Sequence, residues 1–189
     1  MKLFSLIEEL VTGDWGNENY SEEMPNEVYC IRGADIVSIN KHDFSNIPKR
    51  YISDNSLKIK DLRVGDIVIE KSGGSPTQST GRVVYVSDDL LKEKGDLVCS
   101  NFCTAFRVKK GWNPYFIYQY WQFLYCANVF FNFEGKTSGI KNLQLDAVLT
   151  SIQIKEWRLS EQNRIADIFM CLEKKMHINS SINHNLRAS

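Results

Sequence analysis

The sequence predicts an α+β fold, in which a mixed α/β domain with short twisted strands is followed by a long C-terminal helix of the coiled-coil type. Three observations support this prediction. Short apolar segments recur between residues 28 and 108, a helical apolar spacing begins at Pro114, and a heptad-like spacing occupies the last ~30 residues. We therefore divide the chain into a domain of residues 1–157 and a helix of residues 158–189.

The first part of the domain is predicted to contain one helix and then strands. A short amphipathic helix is expected over Leu3–Val11, and Gly13, Gly16 and Asn17 mark the loop after it. Apolar runs of strand length follow the loop. The expected strands are Val28–Ile31, Ile36–Ile39, Ile67–Glu70, Arg82–Val86 and Thr104–Val108.

The segment around Ile67 is the first candidate functional region. Gly65 and Asp66 form a turn before three consecutive apolar residues, so the strand that follows should lie in the core. Beyond the strand the chain enters a long polar loop, residues 71–82, which is rich in hydroxyl groups and contains Gly73 and Gly74. Polar side chains would therefore gather at one end of a buried strand.

A buried helix is predicted from Pro114 to about Asn128. Its apolar residues recur at helical spacing, and Pro114 suits the first turn of a helix. The aromatic residues of this segment have two interpretations, a stacking platform for nucleobases or an ordinary core face, and the helical spacing favours the core. They are Tyr115, Tyr118, Trp121 and Tyr125.

The C-terminal helix is predicted to begin with Ser160 as its cap and to carry a coiled-coil seam. Lys175 occupies one d position of the heptad frame, and an Asn at an a position commonly fixes the register of a coiled coil. The alternative is an amphipathic helix that packs on its own domain. The seam residues are Ile165, Ile168, Leu172, Met176, Asn179, Ile182 and Leu186.

Composition restricts the class of protein. The chain is 43% hydrophobic and 24% charged, which is typical of a globular protein, and no apolar run approaches the ~18 residues of a membrane span. The net charge is zero, yet the first 30 residues contain one base and seven acids, which leaves 22 bases and 16 acids for the rest. A basic face is therefore compatible with the neutral total.

The five cysteines indicate a reducing, cytoplasmic setting, because their number is odd and no secretory segment precedes them. Cys99 and Cys103 are near neighbours but lack a second ligand pair, with only His42, His177 and His184 elsewhere. We therefore expect buried thiols and no metal site.

No catalytic arrangement can be assembled from the residues. Gly73 and Gly74 are not followed by the Gly-Lys-Ser/Thr of a phosphate-binding loop. Residues 113–116, Asn-Pro-Tyr-Phe, are similar to the Asn-Pro-Pro-Tyr/Phe motif of amino-methyltransferases, but the second proline and a glycine-rich cofactor loop are absent. A helix start is the favoured explanation of this segment. We expect no enzyme activity and no cofactor.

Several segments together resemble the specificity subunits of type I restriction-modification enzymes. They are, in order, GDWG, IRGADI, GDIVIEKSGGSPTQSTGRVVYV, SNFCTAFRV, TSGIKNLQLDAVL and EQNRIADIFMCLEKKMHINSSI. One departure is the segment IQIKEWRLSEQ, where Trp157 and Arg158 stand in place of the family's proline-rich entry to the helix. The order and spacing of the segments carry the resemblance over nearly the whole chain.

The resemblance implies a non-catalytic subunit that reads double-stranded DNA through a target-recognition domain. In that family a long helix pairs antiparallel with its counterpart, methyltransferase subunits dock on this frame, and the restriction subunit joins through them. Full-length members carry two domain-plus-helix units, so this chain resembles a half subunit that pairs with itself or with a second half. The alternative is a stand-alone or degenerate methyltransferase-like interaction module.

Two polar segments are the candidate DNA contacts. Paired donors and acceptors read base edges in the major groove, while hydroxyls, amides and cations hold phosphates. The alternative for both segments is a solvated connection. The first set comprises Lys71, Ser72, Ser75, Thr77, Gln78, Ser79, Thr80 and Arg82, and the second comprises Lys136, Thr137, Ser138, Lys141 and Asn142.

Overall fold

The computed structural model describes residues 1–75, 78–137 and 140–188, and it has the mixed architecture that the sequence predicts. The strands within these ranges are β1 (Ile7–Thr12), β2 (Asn26–Ile31), β3 (Lys49–Ile52), β4 (Ile67–Glu70), β5 (Ser72–Gly73), β6 (Val83–Tyr85), β7 (Leu97–Cys99), β8 (Cys103–Val108), β9 (Glu134–Thr137) and β10 (Ile140–Leu143).

The α-helices of the described chain are α1 (Ile36–Ile39), α2 (Asp54–Lys60), α3 (Asp88–Lys94), α4 (Pro114–Cys126), α5 (Leu145–Ser151) and α6 (Leu159–Ala188). Short 3-10 helices cover Leu3–Leu6, Gly33–Asp35 and Val129–Phe133. None of the described helices is both long and apolar enough to cross a bilayer.

The strands form three small sheets. An antiparallel sheet of order β1-β8-β4-β6 is the centre of the domain, and a second sheet, β3-β2-β7, joins one antiparallel and one parallel pair. The third sheet, β5-β10-β9, is antiparallel and connects segments that are about 70 residues apart in the chain.

The central sheet is buried on both faces, which explains why β4 is apolar without alternation. Ile67 and Ile69 belong to a core shared with α4, whereas Val68 belongs to a second core on the opposite face. Successive side chains of a strand point to opposite faces, so both cores receive apolar residues from one short strand. The buried strand that the sequence predicts at Ile67 is confirmed.

Two predictions of secondary-structure type are wrong. The helix expected over Leu3–Val11 is a 3-10 turn followed by strand β1, because pairing with β8 overrides a helical spacing produced by two buried pairs, Leu3 with Leu6 and Ile7 with Val11. The strand expected over Ile36–Ile39 is a single helical turn, α1. Ile36 and Ile39 are three residues apart, so one face of that turn buries both.

The helix α4 begins as the sequence predicts. Pro114 lies in its first turn, and the Asn113 side chain caps it by accepting a hydrogen bond from the Phe116 backbone N–H at 3.0 Å. Tyr115, Tyr118 and Trp121 are buried against the central sheet. Tyr125 is partly buried and packs against the same core. The favoured interpretation of these four aromatic residues as core is therefore confirmed.

The long helix α6 begins at Leu159, so Ser160 lies inside its first turn and is not its cap. The Glu161 carboxylate instead accepts a hydrogen bond from the Arg158 backbone N–H at 2.9 Å. Gln162 is fully buried, accepts from the Asn113 N–H at 2.8 Å and donates to the Trp157 carbonyl at 3.0 Å. The start of α6 is thus anchored to the start of α4.

Candidate nucleic-acid interface

The polar loop after β4 is closed at its base by a buried ion pair. Glu70 is 3% exposed, and its two carboxylate oxygens accept hydrogen bonds from Arg82 Nε at 2.8 Å and Arg82 Nη2 at 2.6 Å. This bidentate hydrogen bond raises the pKa of the Arg82 guanidinium. The backbone of Glu70 also pairs with that of Gly81 and Arg82, so the loop leaves and re-enters the sheet at one place.

The third sheet joins the two polar segments into one surface. β10 pairs with β5, so that Lys141 lies opposite Gly73 and Asn142 lies opposite Ser72. The Ser72 hydroxyl donates to the Asn142 Oδ1 at 2.6 Å, and the Leu143 N–H donates to the Lys71 carbonyl at 2.7 Å. Two candidate sets recognised separately in the sequence are therefore neighbours in space.

Glu134 connects the loop to the β9–β10 hairpin. Its side chain is 4% exposed, and its Oε1 accepts from the Thr80 backbone N–H at 2.7 Å and from the Thr80 hydroxyl at 3.2 Å. Its Oε2 lies 3.3 Å from Lys141 Nζ, which also donates to the Gln78 carbonyl at 3.3 Å. One buried carboxylate thus holds the backbone of one segment and the cation of the other.

Helix α4 supports the loop from the core side. The buried Trp121 indole N–H donates to the Gly81 carbonyl at 2.8 Å, and the Tyr125 hydroxyl donates to the Ser79 carbonyl at 3.2 Å. Burial raises the pKa of Tyr125, so this hydroxyl keeps its proton for the hydrogen bond. Two side chains of α4 therefore hold the loop backbone in place.

The predicted DNA-contact residues differ in their surroundings. Thr80 is fully buried and Arg82 is 15% exposed, so both stabilise the loop in this structure. Thr77 and Ser138 lie outside the described residues, and only the backbone positions of Lys136 and Thr137, in β9, are described. The half-buried members at the surface are Lys71, Ser72, Ser75, Gln78, Ser79, Lys141 and Asn142.

Sequence reasoning missed the two acids that organise this surface, Glu70 and Glu134. Glu70 ends the apolar run of β4, and Glu134 stands two residues before Lys136. For Glu70 the available signal was a carboxylate at the end of a buried strand beside a basic loop. The pairing of the two acids with cations 12 and 7 residues further on depends on how the chain folds back.

The cysteines lie in two environments, and the expectation of buried thiols is wrong for Cys126 and Cys171, which are exposed. Cys30, Cys99 and Cys103 are buried, and burial raises the pKa of the Cys30 thiol to about 12 and that of Cys103 to about 11. Such thiols stay protonated and pack as small apolar groups. Across the described ranges no group of three or more His, Cys, Asp and Glu residues is placed to hold a metal ion.

A second surface runs along α6. Its domain-facing side carries the buried Gln162 and Ala166, and Ile165 packs at the edge of the core. The remaining apolar residues of the predicted seam are at least half exposed: Ile168 53%, Leu172 50%, Met176 70%, Ile182 50% and Leu186 69%. Asn179 is also exposed. We name the five exposed apolar residues the outer stripe.

Solved structures with the same fold place this architecture in one class of protein. The chain is similar to the S subunit of a type I restriction-modification system from M. genitalium, with a TM-score of 0.61 and 15% identity over all of this chain and 43% of that one. It is similar to the HsdS subunit from Thermoanaerobacter tengcongensis, with a TM-score of 0.50 and 16% identity over 95% of this chain and 38% of that one.

A third similar chain belongs to a structure that is described under the words "structural basis underlying complex assembly and conformational transition of the type I R-M system". Its TM-score is 0.60, with 16% identity over all of this chain and 41% of that one. The chain thus spans about two-fifths of the length of these structures. No curated protein matches this sequence.

The fold is therefore that of a type I restriction-modification specificity subunit. The family model for the type I restriction modification DNA specificity domain matches residues 19–188. The chain belongs to this family, as the sequence resemblance implies.

Proposed function

We propose that this chain recognises DNA sequence, without catalysis, as part of a type I restriction-modification complex. The observation that carries the proposal is the joined polar surface, in which β5 and β10 bring the two candidate segments side by side on a domain of the specificity family. Hydroxyls and amides from both segments then offer the donors and acceptors that base edges and phosphates require.

The outer stripe supports the second part of the proposal, which concerns partners. Contiguous exposed apolar patches normally mark interfaces. We propose that the stripe pairs with a second α6 of the same chain or of a second half subunit, and that each unit reads half of a bipartite target. We propose further that methyltransferase subunits dock on this frame and that the restriction subunit joins through them. One structure with a similar fold is described in terms of complex assembly of a type I R-M system, which agrees with a role in a larger complex.

The polar environment of Asn113 does not favour the alternative of a degenerate methyltransferase. Its Oδ1 caps α4, its Nδ2 donates to Asn163 Oδ1 at 2.9 Å, and its backbone N–H binds Gln162. The polar atoms of the Asn113 side chain are thus occupied in capping α4 and in binding α6. Calorimetry with S-adenosylmethionine separates the two functions, since the proposed reading subunit binds none and a methyltransferase-like module binds it.

Anisotropy of a labelled duplex, titrated with the full chain at several salt concentrations, tests DNA binding itself. Each phosphate contact contributes a slope of about −0.9 to the dependence of log affinity on log salt. We expect weak binding with a negative slope of a few such contacts. A slope near zero across the titration contradicts the proposed function.

A further inference from the structure

Two of the cations on the candidate surface are paired with carboxylates. Arg82 is bound by Glu70, and Lys141 is bound by Glu134. Lys71, by contrast, forms no ion pair with any described residue. A cation at hydrogen-bonding distance from a carboxylate presents a weak net field to a third charge, so these two residues attract phosphate less than free cations do.

Lys141 is held from three directions. Its side chain is 20% exposed, its Nζ is 3.3 Å from both Glu134 Oε2 and the Gln78 carbonyl, and it lies 6.0 Å from the centre of the Phe131 ring. Phe131 is itself 58% exposed, so the ammonium lies near solvent rather than deep in the core. Removing the carboxylate would therefore free a cation at the surface.

Phosphate attraction is independent of sequence, whereas base-edge contacts carry the sequence information. A surface that discriminates sequences gains from a low affinity for arbitrary DNA, because specificity is the difference between two affinities. Glu134 has two effects on this surface. It fixes the loop through Thr80, and it masks the charge of Lys141.

We propose that Glu134 is a specificity-determining residue of this surface: it positions the two polar segments against each other and masks Lys141, which lowers the affinity for DNA of arbitrary sequence. This inference rests on the proposed function. Removing this buried acid should therefore strengthen binding to DNA of arbitrary sequence.

The test uses Glu134→Gln in the full chain, titrated against one arbitrary duplex at several salt concentrations. The amide keeps an oxygen that accepts from Thr80 but removes the charge. We expect tighter binding by several-fold and a salt slope steeper by about 0.9, the value of one further phosphate contact. Weaker binding with an unchanged slope indicates a merely structural Glu134 and overturns the inference.

Lys141→Gln gives an independent arm that does not require the acid variant to fold. The inference removes Lys141 from the candidate phosphate contacts of the wild type, because Glu134 masks it. The salt slope of Lys141→Gln should therefore equal that of the wild type, and the slope of Glu134→Gln combined with Lys141→Gln should return to the same value. A slope shallower by about 0.9 in Lys141→Gln alone overturns the inference, because it shows a lysine that already binds phosphate.

Glu27→Gln is the matched control. Glu27 binds Lys49 at 2.8 Å on the β3-β2-β7 sheet, so this variant also frees a lysine and changes the net charge equally. The salt slope of Glu27→Gln should equal that of the wild type. If Glu27→Gln steepened the slope as much as Glu134→Gln does, the effect would come from net charge alone, which would overturn the inference. A wild-type slope near zero contradicts the proposed function instead, which keeps the two failures distinct.

Discussion

The buried side chain of Glu70 leaves no room for a β-carbon at two neighbouring positions. A β-carbon at Gly33 would lie 2.5 Å from the Glu70 Oε1, and one at Gly73 would lie 2.6 Å from it. The carboxylate cannot move aside cheaply, because Arg82 holds both of its oxygens in a buried pair. The first glycine of the Gly73–Gly74 pair therefore makes room for an ion pair.

The first prediction follows from this crowding. Gly73→Ala should lower the free energy of unfolding by roughly 2 kcal/mol more than Gly111→Ala, because the first combines strain with displacement of a buried ion pair. Both glycines have positive φ, +146° and +93°, but Gly111 has open space around its β-carbon position. Urea unfolding measures both values, and equal losses would show that Glu70 accommodates the methyl group.

Tyr118 of α4 contacts Asn40, the residue that follows α1. It is 5% exposed, accepts a hydrogen bond from Gln122 Nε2 at 3.1 Å, and its hydroxyl lies 3.3 Å from Asn40 Oδ1. Burial raises the pKa of Tyr118 to about 12. The neutral phenol is thus favoured by the folded state.

The second prediction is a loss of stability in alkali. Between about pH 10 and pH 12 the unfolded chain ionises Tyr118 before the folded chain does, so the free energy of unfolding falls as pH rises through this window. Tyr118→Phe should make that fall shallower by roughly 1–3 kcal/mol. Tyr20→Phe, at a position 63% exposed, is the control. Identical pH profiles for wild type and Tyr118→Phe would contradict the assignment.

At the scale of elements, α6 has two faces with different roles. Gln162 and Ala166 are buried against the domain, and further along the helix the His177 ring lies 4.9 Å from that of His42. The five residues of the outer stripe are at least half exposed, and one of them, Met176, borders the pocket that His42 and His177 line. The two alternatives for this helix, packing on its own domain and forming a seam, therefore apply to different sides of it.

The third prediction concerns pairing through the outer stripe. Burying an apolar side chain is worth roughly 1.5–3 kcal/mol, so Ile168→Asp with Leu172→Asp should abolish pairing while the domain stays folded. Analytical ultracentrifugation measures this. Lys174→Gln with Ser181→Asp, at two exposed positions outside the stripe, changes the net charge equally; it is the matched control and should pair as the wild type does. A wild-type chain that stays monomeric at high micromolar concentration would contradict the prediction.

At the scale of the whole molecule, pairing would determine the symmetry of the DNA target. Two identical chains related by a two-fold axis use the same patch on both sides, so their recognition surfaces are related by that axis as well. Anchoring of α6 through Gln162 fixes its first turns on the domain, and the separation of the two surfaces would follow from the pairing.

The fourth prediction is that wild-type chain selects an interrupted palindrome from a pool of random duplexes. Two identical half-sites should be enriched at one fixed spacing, and the variant Ile168→Asp with Leu172→Asp should lose the fixed spacing. Sequencing of the selected pool gives both results. Enrichment of an asymmetric two-part site by the chain alone would contradict symmetric pairing.

The sequence by itself determined the elements whose information is local. The cap and proline of α4, the apolar run of β4 and the heptad spacing of α6 are written within a few residues, and the family follows from the order of short segments. Ser53 and Ser87, which accept hydrogen bonds at the starts of α2 and α3, carried similar local signals that sequence reasoning left unused.

Only the tertiary structure decided what depends on distant pairing. β1 is a strand because β8 lies beside it, and the two polar segments form one surface because β10 pairs with β5. The same holds for Glu70 and Glu134, whose carboxylates bind cations that the sequence alone presented as free. Side-chain periodicity reports which face is buried, but it does not report which charge lies opposite, because strand register joins residues far apart in the chain.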